Sequence, residues 1–182
     1  MGRSVNPKFK LLSRKVIYSG RVVHLEKLEC EAPGKVKFSR ELIKHPGAAV
    51  IIPVLPGERF VLVFQHRIAV NGWLLEFPAG TLEKNEKPET CAYRETIEEI
   101  GYQPGKLKKL VQFYPAPGIS TERMHLFLAT ELKPAVGQLD DDEFLKVKVI
   151  KRKDLERKIN RGEIQDAKTI ISFYYYLQLK RR

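Results

Sequence analysis

Two apolar runs, Ala48–Leu55 and Phe60–Phe64, flank the turn Pro56-Gly57. Each run is continuous rather than alternating, so the spacing predicts a strand pair buried on both faces. Pro53 cannot donate to a ladder and predicts an edge or bulged position in the first strand. Further strands are predicted at 107–114, 123–130 and 145–150, and helices at 88–100, 152–160 and 166–179. Helices and strands mixed without regular alternation favour an α/β layered domain over a doubly wound nucleotide fold.

A chain of 182 residues favours one domain with room for a small subdomain. Residues 16 to 43 read as short strands, among them Val22–Leu25 and Val36–Phe38 around the turn Ala32-Pro33-Gly34. His45-Pro46-Gly47 is the expected boundary, with an N-terminal β subdomain over 1–45 and the main domain over 46–182. The longest apolar run has eight residues, Ala48–Leu55, too few for a membrane helix of about 20. The N-terminus shows no apolar signal core, and Asn6 breaks a myristoylation pattern. Cys30 and Cys91 are expected to be reduced thiols of a cytoplasmic protein. Walker A, G-x-G-x-x-G, H-E-x-x-H and C-x-x-C patterns are all missing, and His24, His45, His66 and His125 are scattered.

The net charge of +11 invites an anionic partner. Its distribution sharpens that reading. Between Glu76 and Glu99 seven acidic residues face three basic ones, leaving 30 basic and 15 acidic residues elsewhere. An acidic island in a basic chain suggests a divalent-cation site surrounded by groups that attract an anion. Within the island, Pro88–Ile100 is the predicted helix, closed by Gly101. At about 100° per residue, Glu95, Glu98 and Glu99 share one face. Tyr93, Ile97 and Ile100 fall opposite and are expected to pack on the sheet, with the small Cys91 and Ala92 left on the acidic side. Like charges on one turn destabilise a helix by a few tenths of a kcal/mol each, and a hard cation gives them a reason to be there. Arg94 is placed to pair with a neighbouring glutamate.

The stretch Gly80–Tyr102 resembles the Nudix box: Gly80, Glu86, Arg94, Glu95, Glu98, Glu99 and Gly101 stand at its spacing. Thr96 and Tyr102 replace aliphatic packing positions. Tyr114-Pro-Ala-Pro117-Gly118-Ile-Ser-Thr-Glu122 resembles the segment that marks the ADP-ribose pyrophosphatase subfamily. Val16–Arg21, Arg40–Gly47 and Gly162–Thr169 are similar to it as well.

The resemblance implies a Nudix-type α/β/α sandwich around a mixed β-sheet, with a small N-terminal β subdomain used in homodimerisation. It implies Mg²⁺-dependent hydrolysis, with Mn²⁺ as an alternative, of ADP-ribose to AMP and ribose 5-phosphate. Glu95, Glu99 and the Ala79 carbonyl are the implied metal ligands, with Glu98 and Glu86 close by. Glu83 and Arg67 match positions that touch the diphosphate or the metal shell, and Arg40 lies in the nucleoside segment. Pro117 and Gly118 fall in the substrate segment. Metal-held glutamates are poor bases, because the cation lowers their pKa. The resemblance therefore points to the acidic run Asp140–Glu143, with Glu143 as the general base and Asp141 as the reserve.

Two alternatives stay open on the sequence. The same fold can act on another nucleoside-diphosphate derivative or an oxidised nucleotide. A nucleic-acid binder is less favoured, because no aromatic-rich basic motif is present. Trp73 reads as a core or interface anchor rather than an adenine stack.

Overall fold

The computed structural model describes residues 8–137 and 145–181. The chain opens with three antiparallel strands, β1 (Lys10–Ser19), β2 (His24–Ala32) and β3 (Val36–Lys44), which form a sheet of their own in the order β1-β2-β3. They are longer than the short strands expected, because period-two pairing runs the full length of β2 against β3.

After His45-Pro46-Gly47 the chain enters a second sheet through β4 (Ala48–Leu55) and β5 (Arg59–Arg67). β6 (Gly72–Glu76) and β7 (Ala79–Thr81) follow, and then helix α1 (Pro88–Glu98). Next come β8 (Tyr102–Gln103), β9 (Lys106–Phe113), β10 (Met124–Thr130) and β11 (Lys133–Pro134). The described chain closes with β12 (Leu145–Lys151), α2 (Arg152–Asn160) and α3 (Ala167–Lys180). The seven-stranded sheet runs β12-β5-β4-β10-β9, with β6 on β5 and β7 on β4. Only β4 and β10 pair in parallel, which makes the sheet mixed.

β4 is buried on both faces, as its continuous apolar run requires. Ala49 and Ile51 meet Cys91 and Ala92 of α1. Val50 and Ile52 meet Leu155 and Ile159 of α2 and Phe173 and Tyr176 of α3 on the other side. The result is an α/β/α sandwich. Phe60 anchors the second layer, edge-on to Phe77, Phe173 and Tyr176 at 5.1–5.9 Å between centroids, contacts of about 0.5–1.5 kcal/mol each beyond burial.

Pro53 sits in the centre of the sheet, not at its edge. On one side it pairs with Ala129 of β10. On the other, Ile51 N–H donates to Pro78 O at 2.9 Å, and the ladder to β5 begins only at Val54. The missing donor of Pro53, two residues after Ile51, therefore points into a gap where no ladder is built. That gap matters for the site. β4 and β5 pair over only two residues and then diverge. The chain from β6 through Phe77-Pro78 to β7 fills the wedge between them.

Candidate active site

A cavity of about 960 Å³ opens at that wedge, a size matching ligand sites of roughly 300–1,000 Å³. Its acidic wall comes from β7 and α1. The helix packs on the sheet by the face that carries the acids, which reverses the expectation for Tyr93 and Ile97. Cys91, Ala92 and Thr96 are fully buried, whereas Tyr93 is 39% exposed. The reason is size: Cys91 and Ala92 let the helix backbone come close to β4, and the stems of Glu95 and Glu99 lie along the sheet. Ile100 is buried as expected, but against Val61 and Val63 beyond the helix end. Thr96 fits its apolar place because its hydroxyl donates to Ala92 O at 2.6 Å. At Gly80 a Cβ would stand 1.7 Å from Glu95 Oε1, so only glycine leaves room for that carboxylate.

Glu95 and Glu99 both line the cavity and are buried. Glu99 Oε2 accepts from Ala79 N–H at 3.0 Å, which ties the helix end to β7. Arg94 holds the rest together. It donates Nε and Nη2 to Glu86 at 3.1 and 3.2 Å, and Nη1 to Glu95 at 2.7 Å and Glu98 at 2.8 Å. Burial pulls its pKa down, but the bonds to Glu86 and Glu98 and the Glu95 charge outweigh it and leave the guanidinium firmly protonated. Burial likewise acts to raise the Glu86 carboxyl, yet Arg94 and the Glu83 N–H bring it below the usual range. Burial, with Glu95 and Glu86 beside it, pushes the Cys91 thiol up to about 12, so it stays protonated and unreactive.

Arg94 binds three glutamates, Glu86, Glu95 and Glu98, and Glu99 lines the same cavity as Glu95, an excess of negative charge that suits a hard cation with oxygen ligands. Among the described residues no three acidic, histidine or cysteine side chains are already gathered as a ligand group. Arg94 occupies the centre of the cluster, and Glu95 serves both it and the cavity. The donor set fits a divalent cation by its chemistry: carboxylates of Glu95 and Glu99 beside the Ala79 backbone.

A second part of the lining is basic. Arg21 from the β1–β2 turn, His24 of β2 and Lys44 of β3 line it, the last two directly paired across the strands. Arg67 closes the end of β5, donating Nε and Nη2 to Glu76 at 2.9 and 2.7 Å. Glu83 lines the cavity at the turn that Glu86 closes, its N–H donating to Glu86 Oε2 at 3.0 Å.

The remaining expected residues fall in several places. Glu98 and Glu86 join the acidic cluster through Arg94 but stand outside the cavity lining. Pro117 lines an adjoining cavity of about 710 Å³ that shares Lys44, His45 and Pro46 with the first; Gly118 follows it in the chain. Arg40 does not reach either cavity. It is exposed on β3, over the Phe38 ring at 4.7 Å and donating to Ser39 O. Only the end of β3, at Lys44, comes to the site. Trp73 is 45% exposed, stacked on Phe64 at 5.2 Å, and outside both linings. Glu143, Asp141 and the rest of Asp140–Glu143 lie outside the described residues.

Residues 44–173 match the family described as the NUDIX domain. The chain belongs to the Nudix family. It is 39% identical over 173 residues to the ADP-ribose pyrophosphatase of Bacillus subtilis, covering 94% of this chain and 93% of that protein. It is 36% identical to a methanol dehydrogenase activator of Bacillus methanolicus over the same shares. A GDP-mannose pyrophosphatase of Escherichia coli is 34% identical over 151 residues, 77% of this chain and 78% of that one. A solved structure of an ADP compounds hydrolase superposes with a TM-score of 0.85 at 18% identity, covering 96% and 95% of the two chains, a likeness of fold. Nudix enzymes use divalent metal ions, in keeping with the acidic wall. Sequence reasoning missed Arg21, His24, Lys44, Gln65 and Glu76. Glu76 alone carried a signal: a carboxylate between Leu74-Leu75 and Phe77 demands a buried partner.

Proposed function

We propose that this Nudix enzyme hydrolyses the pyrophosphate bond of ADP-ribose, giving AMP and ribose 5-phosphate, with Mg²⁺ or Mn²⁺ as its cation. The observation that carries the reading is one cavity lined both by Glu95 and Glu99 and by Arg21, Lys44 and Arg67. One side suits a divalent cation and the other a diphosphate, and the volume suits a nucleoside-diphosphate sugar.

Glu95, Glu99 and the Ala79 carbonyl would hold the cation, with Glu86 and Glu98 supporting through Arg94. When bound, the cation neutralises phosphate charge and lowers the pKa of the attacking water. Arg67, Lys44 and Glu83 orient the diphosphate, and Pro117 and Gly118 border the space for the rest of the substrate. Glu143 takes the proton from water as its oxygen bonds to phosphorus and the anhydride P–O bond breaks, with Asp141 as the alternative base. In this reading the enzyme works in the cytoplasm, where Cys30 and Cys91 remain the free thiols seen here. It works as a homodimer joined partly through residues 1–45, since β1 is exposed along its whole length with Val16, Ile17 and Tyr18 in the open, and Phe9 just before it. Among the described residues no helix is long and apolar enough to cross a membrane.

The test is product analysis with ADP-ribose, GDP-mannose, dinucleotides and oxidised nucleoside triphosphates, with Mg²⁺ and with chelator. AMP and ribose 5-phosphate released fastest from ADP-ribose, and only with metal, are expected. A higher kcat/KM on another member of the panel would move the substrate assignment to that compound.

A further inference from the structure

Behind the basic wall lies a polar network that the reaction scheme above does not use. Glu76 is 1% exposed and receives three donor groups: Nε and Nη2 of Arg67, and Nζ of Lys168 on the same Oε2 that Nη2 contacts. Lys168, in the first turn of α3, is itself buried and pairs with Asp166 Oδ1 at 3.0 Å. Asp166 caps α3, its Oδ2 accepting from Thr169 N–H at 2.9 Å and Thr169 Oγ1 at 2.6 Å. The Thr169 hydroxyl oxygen in turn accepts from Phe77 N–H at 2.8 Å, beside Glu76 in the chain.

A buried ion pair is weak evidence for stability, since desolvation offsets most of the attraction. A different account fits this one. Arg67 ends β5 just before the short turn Ile68–Val70 and reaches the cavity with a long side chain that would otherwise sample many rotamers. A two-point grip by one carboxylate fixes its plane. With Arg67 as its sole partner, Glu76 would cancel the guanidinium charge. Lys168 supplies a second cation, which balances Asp166: the cluster Arg67–Glu76–Lys168–Asp166 is neutral with Lys168 and would carry one net negative charge beside the cavity without it. Asp166 is committed to the helix cap as well as to Lys168.

We propose that Lys168 is a positioning residue for the substrate: it saturates Glu76 from behind and so keeps Arg67 oriented toward the diphosphate and the cluster behind it free of net negative charge. This rests on the reading of the cavity as a diphosphate site. Lys168 touches no substrate, and its effect runs through Arg67. Loss of Lys168 then weakens substrate binding more than it slows the bound complex.

The experiment compares Lys168→Met, Arg67→Ala and the double variant in steady-state hydrolysis of ADP-ribose with saturating Mg²⁺. Lys168→Met is expected to raise KM about tenfold while kcat stays within about threefold. The double variant is expected to be no worse than Arg67→Ala alone, because one pathway is removed twice. Losses that multiply, or a fall in kcat at unchanged KM, would overturn the proposal. Should Lys168→Met not fold, Lys168→Gln serves the same comparison. An Arg67→Ala variant with wild-type KM overturns both the proposal and the diphosphate role of Arg67. If the wild type does not cleave ADP-ribose, the reaction assignment fails by itself, and calorimetric binding of inorganic pyrophosphate decides the proposal. About tenfold weaker binding by Lys168→Met supports it, and equal binding overturns it.

Discussion

The acidic wall of the cavity comes from 21 consecutive residues, Ala79–Glu99, whereas the basic wall gathers Arg21, His24, Lys44 and Arg67 from across two sheets. The first is a local device. One turn and one helix set its geometry, and the contacts that matter, Arg94 to Glu86 or Gly80 against Glu95, span 15 residues or fewer. The second is a tertiary device. Its members meet only because β2 and β3 pair in register and the wedge between β4 and β5 holds the two sheets against the same opening. In the function proposed above, metal chemistry belongs to the compact wall and anion recognition to the assembled one. Substitutions should therefore divide cleanly: the acidic wall controls turnover, and the basic wall controls binding.

The largest effects are expected from the proposed general base and from the acidic wall. Glu143→Gln is expected to lower kcat by roughly 10²–10⁴, the range for a lost general base, with little change in Mg²⁺ dependence. If Asp141→Asn loses activity instead, the base lies two residues earlier. Glu95→Gln and Glu99→Gln are each expected to lose about a hundredfold or more, because the change keeps shape and removes only the charge that a cation needs. Rates near wild type from either glutamine variant, with circular dichroism unchanged, would break the division.

This contrast also explains what could be read from the chain alone. The box from Gly80 to Gly101 was legible because its spacing is set by one helix, and the strand pair around Pro56-Gly57 because its apolar runs admit few alternatives. The packing face of α1 was misread. Hydrophobicity pointed to Tyr93 and Ile97, but small volume decided, and Cys91, Ala92 and Thr96 took the sheet. Pro53 argues for an edge or a bulge, because a missing donor is usually tolerated there; a local gap beside a central strand serves as well. Of the basic wall only Arg67 was legible, through the resemblance. Nothing in the sequence pairs His24 with Lys44 until the register is known, and Arg40, four residues from Lys44 on the same strand, fell outside the site.

A middle-sized effect is expected from the basic wall. Lys44→Ala and Arg21→Ala should each raise KM for ADP-ribose several-fold to tenfold with kcat little changed. They should also weaken the dependence of kcat/KM on ionic strength, since steering by exposed cations is screened by salt. Should either variant lower kcat at unchanged KM, the assembled wall would have to include a group that acts on the reacting atoms, and the division would fail from the other side.

The smallest effect on activity is expected at the strand farthest from the chemistry. Among the described residues β1 pairs with β2 alone, and its residues are exposed throughout, with Val16 at 57% and Ile17 at 51%. A row of exposed apolar side chains on an edge strand is a surface that another chain covers. Ile17 is the informative position. It lies at the register shift between Val16 and Tyr18 and has no partner on β2, so a charge there does not oppose another residue across the pair. Val16, by contrast, faces Glu26, and an acid at that position would unsettle the sheet itself. Ile17→Glu is therefore expected to convert a two-chain particle into single chains in light scattering at micromolar concentration. Its kcat should stay within about threefold of wild type, because no residue of β1 lines the cavity. KM should rise modestly, because Arg21 follows β1 directly and loses some of its support. A wild-type protein that already scatters as a single chain would remove the dimer from the scheme. A kcat that collapses on dissociation would show that the partner chain contributes to the acidic wall, and the contrast between a local and an assembled wall would have to be redrawn across two chains.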